Sequence, residues 1–199
     1  MDYYQSIAGH FQGGIESAAM AVDDLAAPLA QAADLVTRAL LEDHKVIACG
    51  LGADAALAQL FTSHMHCGPE RERPALPAIN LASDGAALCN PATGAGPGDF
   101  AGRVRALGQA GDVLLIVNSY SDGSALRGAV TAAAERNMPM VILSNRDDAA
   151  LPAAAGGDCA LLLPAAAARS HILELQVKVL HCLCLLIENQ LFGDQDGNH

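Results

Sequence analysis

The stretch from Asp112 to Ser124, D-V-L-L-I-V-N-S-Y-S-D-G-S, constrains the fold most. Val113 to Val117 form an unbroken apolar run. The chain then turns small and hydroxylated at Ser119, Ser121, Asp122, Gly123 and Ser124, and a helical pattern follows with Leu126 and Val130 on its apolar face. This reads as strand, tight loop, helix. In an open parallel sheet, ligands lie beyond the carboxyl ends of the strands. A serine-rich loop there offers hydroxyls and backbone N–H groups at the positive end of a helix, which suits a phosphate. The plainer alternative is that the serines only cap the helix.

Further apolar runs repeat the pattern. Lys45 to Cys49 reads as a first strand, and Gly50-Leu51-Gly52 turns it into a helix from Asp54 to about His66. Asp54 is placed to cap that helix and also sets a carboxylate where a phosphate would sit. Strands are expected at Leu76 to Leu81, Pro139 to Ser144 and Cys159 to Leu163, with helices at Phe100 to Leu107 and Asp147 to Gly157. Strands that are apolar throughout and alternate with helices imply a parallel sheet covered on both faces. The fold class is α/β, a three-layer αβα arrangement on a parallel sheet of five strands. The segment from Asn90 to Gly98, rich in glycine and proline, is a loop, either a lid or irregular surface.

Both ends add helices. Residues 3 to 24 have helical spacing, weakened by Gly13-Gly14, and a second helix starts near Pro28 and runs to about Glu42. The last helix, about Ala167 to Phe192, is apolar nearly all round apart from a stripe of His171, Glu174, Lys178 and His181. Such a helix is buried on most sides, which predicts a subunit interface. Its strongly apolar run, Cys182 to Ile187, is too short to cross a bilayer.

At 199 residues one domain, spanning 1–199, is expected. A net charge of −11 argues against the basic surface that nucleic-acid binding needs. The six cysteines show no C-x-x-C and fit a reduced, cytoplasmic protein. The N-terminus lacks the features of a signal peptide.

Cys49 to Gln59, C-G-L-G-A-D-A-A-L-A-Q, resembles the C-G-N-G-G-S-A-A-D-A-Q opening of the phosphoheptose isomerase group of sugar isomerase (SIS) domain proteins. Glu72 to Ala78 resembles that group's E-R-P-S-L-P-A. Arg105 to Leu115 resembles R-A-L-G-x-x-G-D-V-L-L, and Ser119 to Ser124 stands where the group has S-T-S-G-N-S. The closing helix from His181 to Phe192 matches as well. The likeness covers nearly the whole chain and implies a flavodoxin-like, five-stranded parallel sheet with helices on both faces and a homotetramer; no cofactor is expected.

Two branches share these motifs. One isomerises sedoheptulose 7-phosphate. The other associates with the replication initiator DnaA and keeps the fold without the chemistry. The resemblance places the isomerase's catalytic histidine on His181 and its glutamate on His64. The phosphosugar-binding positions fall on Gly52, Asp54, Ser119, Ser121 and Ser124, with Asp54 replacing a serine, Leu51 an asparagine and Asp122 a glycine. Zinc-binding members use four positions that fall here on Leu60, His64, Leu173 and His181. Two leucines leave no such site, so no bound metal is expected; His64, His66 and Cys67 are metal-capable but are more simply surface or interface residues. Leu191-Phe192 resembles a partner-binding pair of the initiator-associating branch, or else staples the helix end to its neighbour.

These losses favour a non-catalytic protein that binds the initiator or another partner. The alternatives are a working phosphoheptose isomerase with His64 as replacement partner for His181, or a sugar-phosphate sensor without turnover. No membrane and no direct nucleic-acid contact are expected.

Overall fold

In the computed structural model the described residues are 3–68, 71–83, 100–120, 122–148, 151–152, 159–164 and 168–193. The expected loop at 90–98 and most of the expected helix at 147–157 fall outside them, as does Ser121. Five parallel strands, β1 (Val46–Gly50), β2 (Ala78–Asn80), β3 (Val113–Asn118), β4 (Met140–Asn145) and β5 (Cys159–Leu163), form one sheet in the order β2-β1-β3-β4-β5. The helices are α1 (Tyr3–Leu41), α2 (Ala53–Cys67), α3 (Ala101–Leu107), α4 (Arg127–Glu135) and α5 (Arg169–Phe192).

Strand alternation builds two cores. Val46, Ala48, Val113, Leu115, Val117, Val141 and Leu143 face the side where α1, α2 and α5 pack. Ile47, Cys49, Leu114, Ile116, Met140 and Ile142 face α3 and α4. Because successive strand residues point to opposite faces, a run such as Val113–Val117 must be apolar throughout to serve both. Asp112 stands just ahead of β3 and ties it to β1: it accepts the Lys45 backbone N–H at 3.0 Å and pairs with the Lys45 ammonium at 2.5 Å.

The two expected N-terminal helices are one. α1 runs through Pro28 without a break. Proline removes one backbone donor and disfavours the preceding turn, but burial of Leu25, Ala32, Ala33 and Val36 on both sides of it holds the helix together. The first half of α1 behaves differently: Tyr3, Tyr4, Ile7, Phe11, Ile15, Met20 and Val22 are exposed.

α5 is long and apolar enough by composition to cross a membrane. It serves here as a core helix, burying Ile172, Leu175, Val179, Leu180, Leu183 and Ile187. It also buries an ion pair, Glu188 Oε1 with Arg73 Nε at 2.8 Å. The other Arg73 nitrogens donate to the His64 carbonyl at 2.6 Å and the Met65 carbonyl at 2.8 Å. One guanidinium thus closes the C-terminal end of α2 and locks it to α5.

Candidate functional site at the strand ends

The strand order reverses at β1: its crossover leads outward to β2, and β3 lies on the other side. Ligands of open α/β sheets bind at such a switch point, beyond the carboxyl ends. The β1–β3 register pairs Gly50 with Val117, so the loop of Leu51 and Gly52 and the loop of Ser119 and Tyr120 emerge side by side. Gly52 has φ +59°, and a Cβ there would sit 3.1 Å from the Tyr120 hydroxyl, so the turn favours a residue without a side chain.

Asp54 does not cap α2. The N-cap is Gly52, without a side-chain cap. Asp54 is fully buried and reaches across to the loop after β3, where its Oδ2 accepts the Ser119 backbone N–H at 2.8 Å and the Ser119 hydroxyl at 3.1 Å. Its Oδ1 is buried without a partner among the described residues. Burial pushes the Asp54 carboxyl above the usual carboxylate range, while the two Ser119 bonds and the Arg169 guanidinium pull it back. A second carboxylate acts similarly at the loop's far end. Asp122 Oδ1 accepts the Ser124 backbone N–H at 2.9 Å, and that bond holds the exposed Asp122 carboxyl below its ordinary value. The donors that would cradle a phosphate at Ser119 and Ser124 are therefore taken by the chain's own acids.

Several neighbours escaped the sequence reading. The Arg169 guanidinium lies over the Tyr120 ring, 4.0 Å from its centroid. Asn118, buried at the end of β3, donates from Nδ2 to Asp148 Oδ2 at 2.9 Å and to the Tyr120 carbonyl at 3.0 Å. The Ser144 hydroxyl donates to the same Asp148 oxygen at 2.9 Å. This network fixes the floor of the serine loop. Its only signal in the sequence is that two apolar strands end in S-N or V-N pairs. Gly123 backs onto it, since a Cβ there would lie 2.4 Å from Asp148 Oδ2.

His64 and His181 come together elsewhere, between α2 and α5. Their rings stack with centroids 4.8 Å apart and planes 21° apart. Ten residues of helix separate Asp54 from His64, about 15 Å along the axis. Leu60 and Leu173, half-buried, carry no lone pairs, so the four positions of the zinc-binding members do not fit a metal. His66 bonds the Ala78 carbonyl at 2.9 Å, and Cys67 is exposed at the end of α2.

Leu191 and Phe192 pack against the α1/α2/α5 core. The Arg71 guanidinium lies 5.5 Å from the Phe192 ring centroid and donates to the Phe192 and Gly193 carbonyls at 3.3 and 2.8 Å. These contacts staple the helix end to its own core.

The family model described as SIS domain matches residues 10–145. The phosphoheptose isomerase of Chromohalobacter salexigens is 34% identical over 198 residues, covering 98% of this chain and all of that one. The phosphoheptose isomerase of Methylococcus capsulatus is 36% identical over 195 residues, covering 98% of this chain and all of that one. Among solved structures, the phosphoheptose isomerase of Francisella tularensis superposes with a TM-score of 0.88 at 31% identity, over 95% of this chain and all of that one. These relatives favour the isomerase branch over the initiator-associating one. The chain belongs to the SIS domain family, as a full-length relative of phosphoheptose isomerases.

Proposed function

We propose that the protein is an aldose–ketose isomerase acting on a sugar phosphate, of the phosphoheptose isomerase kind. The observation that carries this reading is the stacked pair of His64 and His181, which occupies both positions where the resemblance sets the acid and base. Imidazole takes and gives a proton near neutral pH. In the proposed step one imidazole removes the proton from the carbon beside the carbonyl. The electron pair forms the carbon–carbon double bond while the carbonyl oxygen takes a proton, giving an enediol. The hydroxyl on the first carbon then gives up its proton as a new carbonyl forms, and a proton is delivered to the former carbonyl carbon. The two carbons exchange oxidation levels within the substrate, so no external oxidant or reductant is consumed.

The serine loop would hold the phosphate through Ser119, Ser121 and Ser124, with Arg169 supplying positive charge. The imidazole pair of the same chain stands about 15 Å along α2 from that loop, farther than one sugar phosphate extends from phosphate to carbonyl carbon. The reading therefore calls for a complete site built between copies, with the loop of one protomer facing the imidazoles of another. Support comes from the exposed apolar side of α1 and from the apolar groove lined by Leu25, Leu29, Val179, Leu185 and Leu186. In this reading the protein is a homo-oligomer, which the resemblance makes a tetramer.

A second reading, binding without turnover, is favoured by Asp54. Its carboxylate fills the seat that a phosphate needs and must move or take up a proton before an anion enters. The two readings separate in one experiment. Wild type and His181→Ala are incubated with sedoheptulose 7-phosphate, and binding and isomerisation are followed in parallel. Turnover lost in His181→Ala supports the isomerase. Binding without turnover in the wild type supports the second reading. Association with DnaA gains no support from the relatives, nor from Leu191 and Phe192, whose side chains are half-buried against their own core.

A further inference from the structure

We propose that His10, His171 and Glu174 form a site for a divalent first-row cation, with zinc as the natural occupant, joining the first turns of α1 to the first turns of α5. One ligand atom from each of the three side chains lies within 4.8 Å of the others. His171 Nε2 is 3.2 Å from His10 Nδ1. Two nitrogens bound tetrahedrally to one zinc at about 2.05 Å stand about 3.3 Å apart, so that edge is already in place. Glu174 Oε1 lies 3.3 Å from the other His10 nitrogen, Nε2, so binding requires the half-exposed His10 and Glu174 side chains to turn until one His10 nitrogen meets both partners.

The backbone is built around the cluster. His171 and Glu174 are three residues apart on α5 and share one face. Opposite them α1 carries Gly13 and Gly14, which reads in sequence only as a weak point in a helix. A Cβ on Gly13 would lie 2.6 Å from His171 Cε1, and one on Gly14 would lie 2.7 Å from Glu174 Oε2. The glycine pair thus makes the space that the imidazole and carboxylate occupy. Two imidazoles and one carboxylate suit zinc, and three protein ligands leave one position for water or for a group from a second copy. Glu174 balances part of the ion's charge. Lys178 lines the same groove and is the cation that a bound metal would have to tolerate. The site does not depend on the isomerase reading.

The test is a zinc titration of chelator-treated full-length protein, read by calorimetry and by competition with a chromophoric zinc indicator. The expected result is one zinc per chain, with affinity weakened at least about tenfold in His10→Ala and again in His171→Ala. Cobalt loaded in place of zinc should give visible absorption bands that vanish in the His10→Ala/His171→Ala double variant, and circular dichroism of that variant would check that it folds. His181→Ala should leave the stoichiometry at one. Absence of stoichiometric binding, or zinc retained in the double variant, would overturn the proposal. So would zinc lost in His181→Ala but kept in His10→Ala.

Discussion

Replacing Asp54 by serine should turn a closed anion seat into an open one. The wild-type carboxylate is buried and takes both the N–H and the hydroxyl of Ser119. A phosphate that enters must displace it and then sit beside its charge. Two unit charges about 4 Å apart at an effective dielectric near 20 repel by about 4 kcal/mol. The freed donors would each make a charge-assisted bond to the phosphate, worth about 1.5–3 kcal/mol. Part of this is offset because Ser119 must leave one good acceptor for another. A net gain of about 2–4 kcal/mol remains, or roughly 30- to 1,000-fold in affinity. Isothermal titration with sedoheptulose 7-phosphate, and with inorganic phosphate as the smaller probe, measures it. An Asp54→Ser affinity within threefold of wild type would refute the claim that Asp54 occupies the phosphate seat.

Asp54 also gives a pH prediction. Its carboxyl is raised in the fold, so its contribution to stability is full below the unfolded value and is lost as pH rises through the folded one. Asp54→Asn should therefore be more favourable relative to wild type at pH 7 than at pH 3.5 in denaturant titrations; the opposite ordering would contradict the burial argument. Glu188→Ala strands the Arg73 guanidinium in the interior and should cost about 3–5 kcal/mol, seen as a marked fall in Tm. Gln176 is fully buried with neither amide atom bonded among the described residues, so Gln176→Leu should stabilise the protein by about 1–2 kcal/mol. Burial raises the Cys49 and Cys184 thiols to about 12. Iodoacetamide should therefore label exposed Cys67 well before either of them, as mass spectrometry of a time course would record.

The sheet was legible because a buried parallel strand must be apolar on both sides, and Val113–Val117 and Val141–Leu143 leave little else to be. The interruption expected in the N-terminal helices was not real. Pro28 carries a local cost that sequence displays, whereas the packing of Leu25, Ala32 and Ala33 that outweighs it is tertiary. The cap expected of Asp54 fails because its partner, Ser119, lies 65 residues away in the loop after β3, and nothing local separates a helix cap from such a long-range bond. The same holds for the α1–α5 cluster. His10 and His171 are 161 residues apart, and the glycines that make room for their site resemble a defect until α5 is laid against them.

The central claim, that the stacked His64 and His181 move a proton on a sugar phosphate, is tested most directly by an isomerisation assay. The assembled wild type, His64→Ala and His181→Ala are each given sedoheptulose 7-phosphate, and the aldose product is quantified by chromatography. Turnover in the wild type that drops at least about 100-fold in each variant is the predicted result. A folded wild type that binds the sugar phosphate without converting it, or a His181→Ala variant as active as the parent, would contradict the account.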